Sequence, residues 1–278
     1  MTTALNKLPD QSFELTMTVP WTDIKTTFDQ IVDRLLSEVE IEGFRKGKAP
    51  RDLALKNLDQ GKIYGQVVNE ILPKIYSDAV SEQKLNPIAS PKIHIISAEP
   101  DKDWIFKAVS CEKPQIDLGD YKAQIKTAKI WKPGDEVKAE SAENKSQRIN
   151  EIISKLIESA KITLPAILVE SEEERLLAQL IDDIRAAGLT YDQYLASKGT
   201  TADGIKSQYH AQAEAALKLE FILEEIAKKE NISVAQEEID AVINKEKDPK
   251  GQENLRKQSY LLASVMRREK TLTYLSNL

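Results

Sequence analysis

Phe13-Glu14-Leu15-Thr16-Met17-Thr18-Val19-Pro20-Trp21-Thr22-Asp23-Ile24 contains the change of period on which the fold turns. Phe13, Leu15, Met17 and Val19 alternate with Glu14, Thr16 and Thr18, which predicts a half-buried strand. From Trp21 the apolar residues change step. Ile24, Phe28, Ile31, Val32, Leu35, Leu36 and Val39 recur every three or four positions, one face of a helix reaching about Val39, with Pro20 or Thr22 as its start signal.

That helix leads into Gly43-Phe44-Arg45-Lys46-Gly47-Lys48-Ala49-Pro50. Gly43 and Gly47 permit positive φ, and Pro50 fixes its own φ and pushes Ala49 towards extended geometry, so the run reads as a shaped loop. An aromatic residue and three cations on such a loop suit docking on a polyanion. They equally suit a solvated basic turn, and composition leaves both open.

Beyond the loop, Leu53 to Leu58 and Lys62 to Gln83 read as helices, with Pro73 expected to kink or split the second. Ile93-His94-Ile95-Ile96 and Trp104 to Cys111 read as strands joined by a turn at Pro100-Asp101-Lys102-Asp103. Strand, helix, loop, helices, strand, strand predicts an α+β domain over residues 1–113, an antiparallel sheet with helices. Residues 1–115 carry 15 Lys+Arg against 17 Asp+Glu, so the basic loop is an island on a slightly acidic body.

Residues 114–138 read as a connector. Lys113-Pro114, Leu118-Gly119 and Lys132-Pro133-Gly134 interrupt it, Ala123 to Lys126 has the look of a short strand, and Ile125, Ile130 and Trp131 are its packing residues. Residues 139–278 read as an all-α helical domain. A face of Ile149, Ile152, Ile153, Leu156 and Ile157 runs to Ala160, and Pro165 opens a helix over Ala166 to Ala187 that Gly188 stops. Thr190 caps a short segment closed by Gly199, and Thr201-Ala202-Asp203 starts a long helix to about Glu230. Ser233 is the expected cap of another, running to about Lys245. Asp248-Pro249-Lys250-Gly251 reads as a turn before one final helix carrying Leu255, Leu261, Leu262, Val265, Met266, Leu272 and Leu275. No fixed-period repeat is present, which argues against a solenoid. These helices either close on one core or leave apolar surface able to hold unfolded chains, and their pattern permits both.

The whole chain of 278 residues has a formal charge of −6, so any affinity for nucleic acid must come from a local patch. A single cysteine, Cys111, excludes an intramolecular disulfide and fits a reducing compartment. His94 and His210 lack Cys/His ligand spacing, so neither a metal nor another cofactor is expected. Acidic pairs such as Glu172-Glu173 and Asp182-Asp183 read as solvated helix face. No Ser/His/Asp order, phosphate-binding loop or His-Glu-x-x-His motif occurs, and no enzyme site is expected. No run approaches a membrane span, and residues 1–10 lack the apolar stretch of a secretory signal, so the expected location is the cytoplasm.

The run Ile41-Glu42-Gly43-Phe44-Arg45-Lys46-Gly47-Lys48-Ala49-Pro50 resembles the ribosome-docking signature of the trigger factor family, bacterial chaperones of nascent chains. Asn86-Pro87-Ile88 resembles a part of that family's N-terminal domain. Ile162 to Glu170, Ala211 to Lys229 and Asn231 to Ile239 are similar to its C-terminal helical arms. The resemblance covers nearly the whole chain, and the loop is its most specific part.

What the resemblance implies is an ATP-independent holdase. Gly43, Phe44, Arg45, Lys46, Gly47, Lys48, Ala49 and Pro50 would meet ribosomal protein and RNA at the tunnel exit, with Phe44, Arg45 and Lys46 as the contacts. The helical domain would shield nascent or unfolded polypeptides, and the free protein would self-associate. The family commonly inserts an FKBP-type prolyl isomerase between these parts. Here the connector has no room for roughly 100 further residues, and offers only Tyr121 and Trp131 towards an aromatic cage, so that activity does not carry over. The alternatives are a ribosome-independent holdase or assembly chaperone and, more remotely, a prolyl isomerase.

Overall fold

The structure is a computed structural model that describes residues 1–38, 59–126 and 142–278, excluding the side chains of 38 and 142–146. The described chain divides into two compact units, Met1–Lys113 with Pro165–Ile167, and Pro114–Leu164 with Leu168–Leu278.

The first unit is a four-stranded antiparallel sheet with helices on one face. Its strands are β1 (Thr2–Lys7), β2 (Ser12–Val19), β3 (Lys92–Ser97) and β4 (Trp104–Cys111), in the order β1-β2-β4-β3. The helices are α1 (Trp21–Glu38) and α2 (Gln60–Glu82). Alternation decides the buried face, since Phe13, Leu15, Met17 and Val19 of β2 pair with Ser110, Ala108, Phe106 and Trp104 of β4. These side chains form a core with Ile24, Ile31 and Val32 of α1 and Ile63, Val67 and Ile75 of α2. Phe28, Tyr64 and Trp104 stack in sequence, with ring centroids 5.0 and 5.6 Å apart. On the other face Lys107 pairs with Glu14 at 2.6 Å.

Three features of this unit differ from the sequence reading or extend it. β1 is an edge strand that the pattern did not disclose; its residues alternate weakly, and pairing with β2 holds it. Pro73 lies inside α2 without dividing it; the helix is secured instead by Asp59, whose carboxylate accepts from the Gly61 and Lys62 N–H groups. The turn at Pro100–Asp103 is present, with Asp101 at φ 61°. The helix expected at Leu53 to Leu58 lies outside the described residues.

The second unit is mostly helical. It comprises α3 (Tyr121–Lys126), α4 (Ala142–Ser159), α5 (Ala166–Ala186, whose first two residues belong to the other unit), α6 (Tyr191–Lys198), α7 (Ala202–Lys229), α8 (Gln236–Ile243), α9 (Pro249–Lys257) and α10 (Ser259–Ser276). A two-residue ribbon pairs β5 (Ile116–Asp117) with β6 (Lys161–Ile162). The main core gathers Leu118, Tyr121 and Ile125 with Ile152 and Leu156 of α4, Leu219, Ile222, Leu223 and Ile226 of α7, and Leu275 of α10. A smaller cluster forms at Leu180 and Ile184 of α5 and Ile205 of α7, flanked by Tyr191, Tyr194 and Tyr209.

Here too the details correct the sequence reading. Ala123 to Lys126 is helix, because burying Tyr121 and Ile125 on one side needs a spacing of four. Residues 116–126 are thereby part of the helical core, whereas Ile130 and Trp131 lie outside the described residues. Thr190 caps α6, accepting from the Gln193 N–H, and Gly199 closes it at φ 61°. Ser233 caps nothing. α8 starts after Ala235, whose N–H donates to the Glu238 carboxylate, while the Ser233 carbonyl accepts from Lys270. Asp248-Pro249-Lys250-Gly251 is a helix start rather than a turn, with Pro249 in the first turn and the Asp248 carboxylate accepting from the Lys250 and Gly251 N–H groups. The single final helix is therefore two, α9 and α10, meeting at Gln258.

Candidate functional site

Two places in the chain compete as the functional site. One is Gly43, Phe44, Arg45, Lys46, Gly47, Lys48, Ala49 and Pro50, all of which lie outside the described residues. Their place in the chain is between α1 and α2, helices that Arg34 and Glu70 join by an ion pair of 2.9 Å.

The other is a groove between α7 and α10. Its origin is a mismatch between the apolar content of α10 and the area available to cover it. Leu275 is buried and Leu272 packs at the edge of the main core. At the other end of the same helix Tyr260, Leu261 and Val265 are 87, 60 and 47% exposed, and α9 buries none of its own side chains. These three residues, with Ser264 and Thr271, line one side of a groove of about 360 Å³. Leu223 and Ala227 of α7 line the other side. Glu220 and Glu224 of α7 and Arg267 and Arg268 of α10 complete the lining.

A hydrogen-bonded clasp fixes the two helices beyond the groove. Glu230, which ends α7, accepts from the Tyr121 hydroxyl on Oε1 and from the Tyr274 hydroxyl on Oε2, each at 2.6 Å. Lys122 reaches the same carboxylate at 2.7 Å, and its ammonium lies 5.9 and 5.8 Å from the two tyrosine ring centres. The Lys122 hydrogen bond, and then those from the tyrosines, hold the Glu230 carboxyl down at about 2. Burial and the Glu230 carboxylate push the Tyr121 phenol up. Tyr121 is thus committed to this clasp and unavailable to any aromatic cage.

The groove is suited to holding an apolar segment loosely. Covering a few hundred Å² of apolar surface at roughly 25 cal/mol per Å² gives a gross gain comparable to the cost of association, so contacts made there are weak and fast to break. Among the described residues no group of His, Cys, Asp and Glu side chains is arranged to hold a metal ion, and no helix is long and apolar enough to cross a membrane. His94 lies on an exposed edge strand. His210 Nδ1 lies 2.7 Å from Glu173 Oε2, a carboxylate oxygen that accepts. Cys111 is fully buried, and burial pushes its thiol up to about 11. The sequence pattern permits either a closed core or leftover apolar surface in these helices, and the structure keeps Leu261 and Val265 exposed. The adjacent pairs Leu261-Leu262 and Val265-Met266 make a stripe too wide for a single buried face, and that was the available signal.

Comparison with known proteins agrees with this architecture. The family model for the bacterial trigger factor protein (TF) matches residues 1–149, and that for the bacterial trigger factor protein (TF) C-terminus matches residues 134–276. The two matches overlap over residues 134–149, with no interval between them for another domain. The trigger factor of Staphylococcus epidermidis is 30% identical over 155 residues, 56% of this chain and 36% of that protein. The trigger factor of Staphylococcus aureus is 32% identical over 122 residues, 44% of this chain and 28% of that protein. The matched stretch thus spans about a third of the length of these relatives. A solved structure, described for promiscuous substrate recognition in folding and assembly activities of the trigger factor chaperone, shares the fold at a TM-score of 0.67. The alignment covers 99% of both chains at 14% identity. Matched over more than half its length by the first of these family models, the chain belongs to the bacterial trigger factor family.

Proposed function

We propose that this protein is an ATP-independent molecular chaperone of the cytoplasm. It docks at the ribosome tunnel exit, and it shields nascent or unfolded chains on its helical part. Docking belongs to residues 1–113 and client binding to 139–278, with 114–138 between them. Gly43, Phe44, Arg45, Lys46, Gly47, Lys48, Ala49 and Pro50 form the docking segment: Arg45 suits bidentate contacts to phosphate or carboxylate, Lys46 and Lys48 add charge, and Phe44 fills an apolar notch. The observation that carries the holding role is the open groove beside Tyr260, Leu261 and Val265, apolar surface that a closed bundle would have covered. Release follows from weak contacts and from folding of the client, without nucleotide. The protein is not an enzyme, and prolyl isomerisation forms no part of its action.

Co-sedimentation with ribosomes at low and moderate salt tests the docking role, comparing the wild type with Phe44→Ala/Arg45→Ala/Lys46→Ala. Binding should weaken with salt and be lost in the triple variant. A wild type that does not sediment with ribosomes, but still suppresses aggregation of a denatured client without ATP, is a ribosome-independent holdase or assembly chaperone. A proline-limited refolding reaction should show no acceleration.

A further inference from the structure

The charges around the groove between α7 and α10 are segregated by helix. Glu220 and Glu224 are one turn apart and project from the same side of α7. Leu261, Val265 and Arg268 follow a spacing of four and three along α10, as do Tyr260, Ser264 and Arg267, so the arginines continue two stripes that line the groove. The clasp of Tyr274 on Glu230 sets the register. Both helices extend back from it in the same sense, since Glu220 and Ala227 share the groove with residues 260–271. Glu220 on α7 and Arg267 and Arg268 on α10 border the same groove, with Leu223 and Ala227 as its apolar floor. Among the described residues neither Arg267 nor Arg268 forms an ion pair.

We propose that this groove selects its occupant by the order of charge as well as by apolarity. The occupant is a segment of unfolded polypeptide whose apolar residues carry Lys or Arg along one border, facing Glu220, and Asp or Glu along the other, facing Arg267 and Arg268. A segment charged alike on both borders meets repulsion on one side whichever way it lies. Glu220, Arg267 and Arg268 are therefore specificity residues, while Tyr260, Leu261 and Val265 supply the contact area. This inference rests on the holding role proposed above.

The test uses the full chain and three labelled peptides with one apolar centre, flanked by Lys on one side and Glu on the other, by Lys on both, or by Glu on both. Fluorescence anisotropy should show the mixed peptide binding about fivefold tighter than either uniform one, the size expected of a few exposed charge pairs. Arg267→Glu/Arg268→Glu should move the preference to the all-Lys peptide, and Glu220→Lys should move it towards the all-Glu peptide. Glu220 and Arg268 are exposed and Arg267 is half-buried, and the helix signal in circular dichroism verifies the fold of both variants. Tyr260→Ala/Leu261→Ala/Val265→Ala should weaken all three peptides alike. One ranking shared by the wild type and both charge variants overturns the inference. If the wild type then still suppresses aggregation of a denatured client, the holding role stands without it. If the wild type neither binds the peptides nor suppresses aggregation, both fall.

Discussion

The Tyr121 hydroxyl donates to Glu230 Oε1 at 2.6 Å, joining residues 109 positions apart in the chain. Tyr274 takes the other carboxylate oxygen and Lys122 the charge, so one side chain ties α3, α7 and α10 together. A carboxylate accepting several hydrogen bonds is strongly favoured over its protonated form, which is why Glu230 titrates at about 2 instead of 4.5.

Replacing that carboxylate by an amide should therefore destabilise the helical unit. Glu230→Gln is expected to cost about 2 kcal/mol at neutral pH, the usual scale for hydrogen bonds to a charged group. Because the folded carboxyl titrates below the unfolded one, this stabilisation is complete above pH 4.5 and disappears as the pH falls to about 2. Urea titrations of both proteins, followed by the helix signal, should differ at pH 7 and converge between those limits. Equal midpoints at pH 7 would show that the clasp is incidental.

The parts of this fold that were legible in the sequence are those where a single period runs unbroken. β2 and α1 follow directly from the alternation at Phe13 to Val19 and the three–four spacing after Ile24, and α7 from its long apolar stripe. Three other elements obey information that is not periodic. β1 exists because β2 offers it a hydrogen-bonded edge. α8 begins at Gln236 because Glu238 and Lys270 arrange the turn before it, 32 residues apart. α9 begins at Pro249 because Asp248 caps it, where the same four residues read locally as a turn. The groove was only half legible: the pairs Leu261-Leu262 and Val265-Met266 signal a stripe too wide to bury, but not which of its residues stay exposed. Leu261 and Leu275 look alike in the sequence, and only the position of α7 makes one exposed and the other buried.

Cys111 should be inert in the native protein. Its side chain is fully buried and burial raises its thiol to about 11, so the reactive thiolate is scarce at pH 8 and reagent has no access to it. Reaction with a disulfide reagent is expected to be slow in buffer and fast in denaturant, with the native rate set by opening of the sheet. Fast labelling without denaturant would contradict the burial of the β4 end.

In the sheet core Phe106 is fully buried, with its ring centre 6.1 Å from that of Trp104 in an edge-on arrangement. Phe106→Ala removes an aromatic side chain that the surrounding strands and helices cannot replace, and should cost about 4 kcal/mol. Urea unfolding followed by tryptophan fluorescence reads this, since Trp104 shares the core and its indole N–H donates to the Glu99 carbonyl at 3.0 Å. The helical unit supplies the internal comparison, and Phe106→Ala should leave its transition unmoved if the two units unfold independently.

Glu173 is 6% exposed, and its Oε2 lies 2.7 Å from His210 Nδ1, which joins α5 to α7 near the smaller apolar cluster. A buried carboxylate that loses its partner bears a desolvation cost that an amide at the same place bears far less. His210→Ala should accordingly destabilise the helical unit by about 1–3 kcal/mol, the range for a buried group left unsatisfied. Adding Glu173→Gln to His210→Ala should recover part of that loss, whereas Glu173→Gln alone should cost less than His210→Ala. Four thermal melts complete the double-mutant cycle. Strict additivity would mean that the two side chains are neighbours without energetic coupling, and that packing at Leu180, Ile184 and Ile205 alone holds α5 against α7.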